Sequence, residues 1–198
     1  VPMADSNTAE QPVLVLIDRK SENRFASYIL EILDVEGIFT CEVKDLFESK
    51  LTGADLNSYD IVILADIEVS LSDQASLAGY VEGGGNLIGL RPPMEMAELF
   101  GVEVNSDRNN RVNDRYIQVN PEHPLARGVA DETLQFHGAA DLSLSNGSEV
   151  LAYLSGDFEN RSRHVGVSTF TYGEGHTAMF AYDLAASTVL FHQGKREN

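Results

Sequence analysis

The strongest constraint on the fold is a set of short, uninterrupted apolar segments that recur between helix-like stretches. PVLVLID spans residues 12–18, DIVILAD spans 60–66 and NLIGL spans 86–90. Such runs, rich in Val, Ile and Leu, are typical of strands that are buried on both faces. A further strand is predicted at IFTCEV, residues 38–43. The segments between them are long enough for helical crossovers, so the pattern predicts parallel strands in a doubly wound α/β sheet.

Helices are predicted between these strands and after the last one. Residues 21–37 place apolar side chains at helical spacing and end in glycine, which favours a helix. A second helix is predicted to begin at a Ser70 or Ser72 cap and to end at a run of three glycines. After NLIGL, the chain is predicted to turn sharply at Arg91, pass two prolines and continue as an amphipathic helix to Gly101.

The second half of the chain predicts short strands and a C-terminal hairpin. Strands are expected at residues 150–154, 164–173 and 176–184, and the GEG sequence between the last two favours a hairpin turn. A closing helix is predicted to begin at Asp183, an N-cap residue type. The polar residues 105–116 predict a surface loop.

Length and composition indicate a single domain and exclude several classes of protein. The 198 residues are 43% hydrophobic, enough for one core over residues 12–198, with residues 1–11 as a disordered lead-in. The net charge of −17 argues against partners such as nucleic acid or anionic membranes. The single cysteine, Cys41, excludes an internal disulfide. The sequence leaves open whether the chain forms a homo-oligomer. Its helical C-terminal end leads us to expect a domain of a longer protein.

Four segments, in order, resemble the class I glutamine amidotransferase-like superfamily: DIVILAD, YVEGGGNLIGLRPPMEMAELFGV, HPLARGV and GEGHTAMFAYDL. The closer likeness is to its non-catalytic branch, which includes trehalose-utilisation-like proteins and the amidotransferase-like domains of sugar-processing enzymes. The resemblance covers roughly residues 12–192. It implies a flavodoxin-like three-layer fold, in which a mainly parallel sheet carries helices on both faces and a C-terminal β-hairpin.

The resemblance also identifies the positions at which catalytic members carry their reacting residues. The cysteine position, at the turn after the fourth predicted strand, falls on Arg91. The histidine position falls at or near Tyr182, with Asp183 beside it. A guanidinium has no nucleophilic lone pair, and a phenol is a poor base at neutral pH. Glutamine hydrolysis by the family mechanism is therefore not expected.

Charged residues end several of the predicted strands, at the sheet edge where open α/β sheets bind ligands. Asp18, Asp66, Arg91 and Asp183 are expected there. In one interpretation, Arg91 clamps a carboxylate or phosphate. In the other, which we favour, Arg91 pairs with Asp66 or Asp18 and fills a vestigial site. An arginine between two aspartates competes with Mg²⁺, so neither a metal nor another cofactor is predicted.

Two histidines complete the set of candidate residues. His137 precedes a glycine and is predicted to contact a ligand in the crevice, whereas His123 is interpreted as a hydrogen-bonding loop residue. The leading hypothesis is a non-catalytic domain with a binding or assembly role, linked to carbohydrate metabolism by family analogy. The alternative is a hydrolase or isomerase of a small polar or sugar substrate, which would use the strand-end aspartates with His137, Tyr182 and Asp183.

Overall fold

The computed structural model describes residues 13–104, 111–113, 115–129, 133–156 and 161–193. In these ranges the strands are β1 (Val13–Ile17), β2 (Cys41–Asp45), β3 (Ile61–Leu64), β4 (Asn86–Leu90), β5 (Val102–Val104), β6 (Arg111–Asn113), β7 (Tyr116–Val119), β8 (Thr133–Gln135), β9 (Ala139–Asp141), β10 (Ser143–Ser145), β11 (Glu149–Ser155), β12 (Arg161–Tyr172) and β13 (Gly175–Phe180). The α-helices are α1 (Ile29–Val35), α2 (Gly53–Leu56), α3 (Leu71–Glu82) and α4 (Leu184–Gln193). Three 3₁₀ segments lie at Phe25–Tyr28, Met94–Phe100 and Pro124–Ala126.

The fold is α/β, with one large mixed sheet. Its strand order is β2-β1-β3-β4-β13-β12-β11-β7-β8. The first five strands in this order are parallel, and the last four are joined by antiparallel pairing. The prediction of a mainly parallel, flavodoxin-like sheet thus holds only for the first five strands. Short antiparallel pairs, β5 with β10 and β6 with β9, lie outside this sheet.

The parallel half follows from the continuous apolar runs. All five residues of β1 are buried, and Val13 to Leu16 pair in register with Ile61 to Leu64. Strand β2 begins at Cys41, later than predicted, because the backbone N–H of Ile38 donates to the Leu33 carbonyl and so extends the end of α1. Helix α3 begins as predicted at Ser70, whose side chain accepts from the backbone N–H of Asp73.

Two predicted helices take a different form. Within residues 21–37, only Phe25–Val35 is helical, as a 3₁₀ segment followed by α1, and the Asn23 side chain accepts from the backbone N–H of Phe25 at its start. The helix predicted after Arg91 is a 3₁₀ segment that begins at Met94 and ends at Gly101 (φ +62°). Two consecutive prolines precede it, and they lack the N–H groups that helical hydrogen bonds need.

The C-terminal hairpin is confirmed. Strands β12 and β13 pair up to Tyr172 opposite Gly175, and Gly173 takes the positive φ of +60° that the turn requires. Strand β13 then pairs in parallel with β4, so it joins the two halves of the sheet. It ends at Phe180, four residues earlier than predicted.

The segment of residues 105–116, predicted to be a surface loop, contains a strand where the structure describes it. Its residues 111–113 form β6, because they pair with β9 far along the chain, whereas 105–110 and 114 lie outside the described residues, as does the predicted lead-in at 1–11. Among the described helices, none has the length and apolarity needed to cross a bilayer.

Candidate functional site

The corner after β4 is built on one strained residue. Arg91 has φ +50°, and no other non-glycine residue in the described ranges has a positive φ. Its backbone N–H donates to the carbonyl of Phe180 at 2.8 Å, which ties the corner to the end of β13. A left-handed conformation costs a residue with a Cβ about 1–2 kcal/mol, so the surrounding contacts must hold Arg91 in place.

The Arg91 side chain is held by carboxylates. Its Nη2 lies 2.9 Å from Oδ2 and 3.0 Å from Oδ1 of Asp66, and its Nε lies 3.9 Å from Oδ2 of Asp141. Asp141 in turn accepts from Nε of Arg111 at 2.8 Å. The side chains of Asp66, Asp141 and Arg91 are 14%, 16% and 19% exposed. The result is a row of alternating charges, Asp66–Arg91–Asp141–Arg111, whose first three side chains are largely buried and whose last, Arg111, is 62% exposed.

Asn23 connects this row to the start of α4. Its Nδ2 donates to the Asp66 carbonyl at 3.0 Å and to Oδ2 of Asp183 at 2.9 Å. The other Asp183 oxygen, Oδ1, accepts from the backbone N–H of Ala186 at 3.0 Å. The prediction that Asp183 caps the closing helix is therefore confirmed, and both of its carboxylate oxygens are engaged within the protein.

Burial dominates the electrostatics of Asp66. Burial raises the pKa of this carboxyl to about 6. The charge of Arg91 lowers this pKa, and the charges of Asp183 and Asp141 raise it further. A buried carboxylate loses the hydration that favours its charged form. The Asp66 carboxyl therefore changes between its neutral and its charged form near pH 6, just below neutrality.

The charged row borders an open cleft of about 710 Å³. Its lining includes Glu22, Asp66, Glu68, Glu95 and Asp141 as carboxylates, Arg91 and Arg111 as guanidinium groups, and Ser21, Asn23 and Gln74 as neutral polar groups. Carboxylates thus outnumber guanidinium groups, and two of them already neutralise Arg91. The cleft offers many hydrogen-bond donors and acceptors but carries a net negative charge.

Tyr182 lies in an aromatic cluster. It is 5% exposed, its ring stacks on that of Phe136 with centroids 4.8 Å apart, and the ring of Phe180 meets it edge-on at 5.9 Å. Burial raises its pKa well above the usual range. This environment keeps the phenol neutral and fixes the ring by packing.

His137 packs against α4. Its backbone N–H donates to the Ser187 hydroxyl at 3.1 Å, and that hydroxyl donates to the His137 carbonyl at 3.0 Å. Its ring lies 4.6 Å from the ring of Phe191. The described residues that line the cleft do not include His137 or Tyr182, so the structure does not bring these two candidates together with Arg91.

Asp18 and His123 serve local turns. Oδ1 of Asp18 accepts from the backbone N–H of Lys20 at 2.7 Å, and Asp66 rather than Asp18 pairs with Arg91. Nδ1 of His123 accepts from the backbone N–H of Leu125 at 3.2 Å, as its interpretation as a loop hydrogen-bonding residue predicts. Within the described residues, no three His, Cys, Asp or Glu side chains are placed to share a metal ion.

Sequence reasoning misses three residues of the site. Asn23 falls inside a predicted helix, Arg111 in a predicted solvated loop, and Asp141 in no predicted element. The pairing of β6 with β9 brings Arg111 opposite Asp141, across about thirty residues of chain. Asp141 is itself the last residue of the three-residue strand β9, which is too short to give a periodic signal in the sequence.

No family model and no curated protein sequence matches the chain, but solved structures share its fold. The cytoplasmic protein STM1381 from Salmonella typhimurium LT2 aligns with a TM-score of 0.69 at 16% identity, over 92% of this chain and 93% of its own. A ThuA-like protein from Bacteroides uniformis aligns with a TM-score of 0.60 at 16% identity, over 91% and 85%. A β-galactosidase from Rahnella sp. R3 aligns with a TM-score of 0.65 at 14% identity, over 92% of this chain and 31% of its own. One of these neighbours is thus described as ThuA-like, and at such identities the likeness concerns the fold alone.

Proposed function

We propose that this chain is a non-catalytic amidotransferase-like domain that binds a small polar ligand of the sugar type in the cleft beside Arg91. The observation that carries the proposal is the state of Arg91 itself. It occupies the corner at which the resemblance expects a cysteine, and it is ion-paired to Asp66 at 2.9 Å. A guanidinium held there cannot attack an amide carbon.

The surroundings of the corner support the absence of glutaminase chemistry. A cysteine nucleophile needs a neighbouring base to form its thiolate. The position that corresponds to the base is Tyr182, whose phenol is buried against Phe136. The single cysteine, Cys41, lies on β2, and burial raises the pKa of its thiol.

The charges of the cleft favour a neutral polyhydroxyl ligand over an anion. Asp66 and Asp141 already neutralise Arg91, and Glu22, Glu68 and Glu95 also line the cleft, so a carboxylate or phosphate would meet more negative than positive charge. Sugar hydroxyls both donate to carboxylates and accept from guanidinium and amide groups. A β-galactosidase among the structural neighbours agrees with a carbohydrate ligand by analogy only.

Calorimetric titration with neutral sugars tests the proposal. Glucose and trehalose are the probes, and glucose 6-phosphate is the anionic comparison. We expect the neutral sugars to bind. The Gln74 Nε2 donates to the Val69 carbonyl at 2.9 Å, so a sugar hydroxyl would donate to its amide oxygen, and loss of that one hydrogen bond in Gln74→Ala should weaken sugar binding by about fivefold. Arg163→Gln, on an exposed residue of β12 outside the cleft, is the control and should bind as the wild type does.

Two results would contradict this proposal. Tighter binding of glucose 6-phosphate than of glucose would support the interpretation in which Arg91 binds an anionic group. Neutral-sugar binding that is the same in Gln74→Ala and the wild type would place the ligand outside the cleft.

A second candidate function, hydrolysis or isomerisation of a small polar substrate, draws on one observation. Burial raises the pKa of Asp66 to about 6, and a carboxyl poised near the working pH suits general acid–base catalysis. His137 and Tyr182, its expected partners, pack on other elements. Turnover of a sugar substrate with a rate that changes near pH 6, and that disappears in Asp66→Asn, would favour this candidate over a binding role.

A further inference from the structure

The helices α1 and α4 pack side by side and leave a groove of about 250 Å³ between them. Ile32 and Val189 form its apolar floor, and Val35 lies on its wall. Val35 is 85% exposed, more than any other large apolar side chain in the described ranges. The volume is below the roughly 300–1,000 Å³ of small-molecule sites, so this α1–α4 groove suits one or two apolar side chains of a macromolecule.

The rim of the α1–α4 groove is acidic. Glu31 and Glu36 line it and are exposed, and the described lining includes no Lys or Arg. The only other ionisable side chains in the described lining are those of Tyr28 and His192. The chain as a whole carries a charge of −17. A second copy would therefore bring like charges together at this surface, whereas Lys and Arg side chains would be attracted to it.

We propose that the α1–α4 groove docks a helix of a partner protein that carries a stripe of large apolar side chains flanked by Lys and Arg. The apolar stripe enters between Ile32, Val35 and Val189, and the basic flanks meet Glu31 and Glu36. This is the helix-in-groove mode of recognition, in which apolar anchors recur every three or four residues. The groove is separate from the Arg91 cleft, so the inference stands independently of the proposed ligand.

Fluorescence anisotropy with a labelled synthetic peptide tests the docking. The probe is a helix of about 15 residues with Leu at helical spacing and Lys at the flanking positions, titrated with the full chain at physiological ionic strength. Val35→Ser should weaken its binding by about tenfold, because a buried valine contact is lost. Leu71→Ser is the matched control, since Leu71 is 78% exposed at the start of α3, and it should change the affinity less than about twofold.

Charge variants and peptide variants complete the test. Glu31→Gln with Glu36→Gln should weaken binding, whereas the equally charged pair Glu48→Gln with Glu103→Gln should not. A peptide with Ser in place of Leu, or Glu in place of Lys, should not bind. The proposal is overturned if the Leu/Lys peptide fails to bind, if either altered peptide binds equally well, or if Leu71→Ser has the effect of Val35→Ser. A dimer of the chain, seen by light scattering and lost in Val35→Ser, would place a second copy in the groove and would also overturn it.

Discussion

Asp66→Asn tests whether burial or ion pairing governs the central carboxylate of the site. Asp66 is 14% exposed and contacts one nitrogen of Arg91. If burial dominates, the pKa is raised from the ordinary value of 3.8 to about 6. If the ion pair dominated, the pKa would instead be lowered, so the two cases predict opposite pH dependence of stability.

The sign and size of the effect follow from linkage. Between about pH 4 and pH 6 the folded protein holds a proton on Asp66 that the unfolded chain has lost, so the free energy of unfolding falls as the pH rises. Below that window both states are protonated, and the stabilisation from the raised pKa is fully present. Above it both states are ionised, and that stabilisation is gone. A shift of about two pKa units corresponds to about 3 kcal/mol.

Urea denaturation at a series of pH values measures this contribution. The chain has no Trp, so far-UV circular dichroism is the appropriate signal. The free energy of unfolding of the wild type, minus that of Asp66→Asn, should fall by about 2 kcal/mol from pH 4 to pH 7, since the unfolded carboxyl is already mostly ionised at pH 4. The change of this difference with pH is the informative quantity, because the substitution also alters the contact with Arg91.

Asp55→Asn is a control for which the contribution to the free energy of unfolding should change with pH in the opposite direction. Hydrogen bonds from Lys44 and Thr52 lower the pKa of Asp55 to about 2, so its contribution to stability is present above pH 4 and is lost as the pH falls toward 2. Parallel pH profiles for the wild type and Asp66→Asn, or a difference that rises with pH, would refute the conclusion that burial governs Asp66.

Two further substitutions test the backbone of the site and its packing. Arg91→Ala should lower the free energy of unfolding by about 2 kcal/mol, since it leaves the largely buried carboxylate of Asp66 without a counter-ion, whereas Asp141 keeps its pairing with Arg111. Arg91→Gly should lose about 1 kcal/mol less, because glycine adopts φ +50° freely, and equal losses in urea denaturation would contradict strain at this corner. Gly101→Ala should cost about 2–4 kcal/mol in the same assay, since its Cβ would lie 2.5 Å from the Phe170 ring. Gly147→Ala, also at positive φ but 3.4 Å from that ring, should cost less, and the reverse order would contradict the packing argument.

The parallel half of the fold could be predicted because its signals are local. Strands β1, β3 and β4 are apolar on both faces and form continuous runs in the sequence, and the Ser70 cap and the Gly173 turn are encoded by single residues. The edge strand β8 and the strands β9 and β10, which lie outside the large sheet, are different, since each is only three residues long. Strands so short carry no periodicity, and their partners are set by tertiary packing.

The candidate site could likewise be predicted only for the residues that follow long apolar strands. Asp66 and Arg91 follow long apolar strands, so their meeting at one sheet edge follows from the parallel topology. Asp141 and Arg111 reach the same place through pairing of strands from distant parts of the chain. His137 was expected in the crevice because a glycine follows it, and Tyr182 because the resemblance puts a histidine at or near its position. The packing of α4 and the aromatic cluster set their actual positions.

Ammonia release from glutamine is the measurement that bears most directly on the role of Arg91. If Arg91 stands at the position of the attacking cysteine, as we propose, the wild-type chain should release no ammonia above a protein-free blank, detected by a coupled glutamate dehydrogenase assay. Release above the blank that disappears in Arg91→Ala would show that the corner is catalytic, and would contradict a non-catalytic role for this domain.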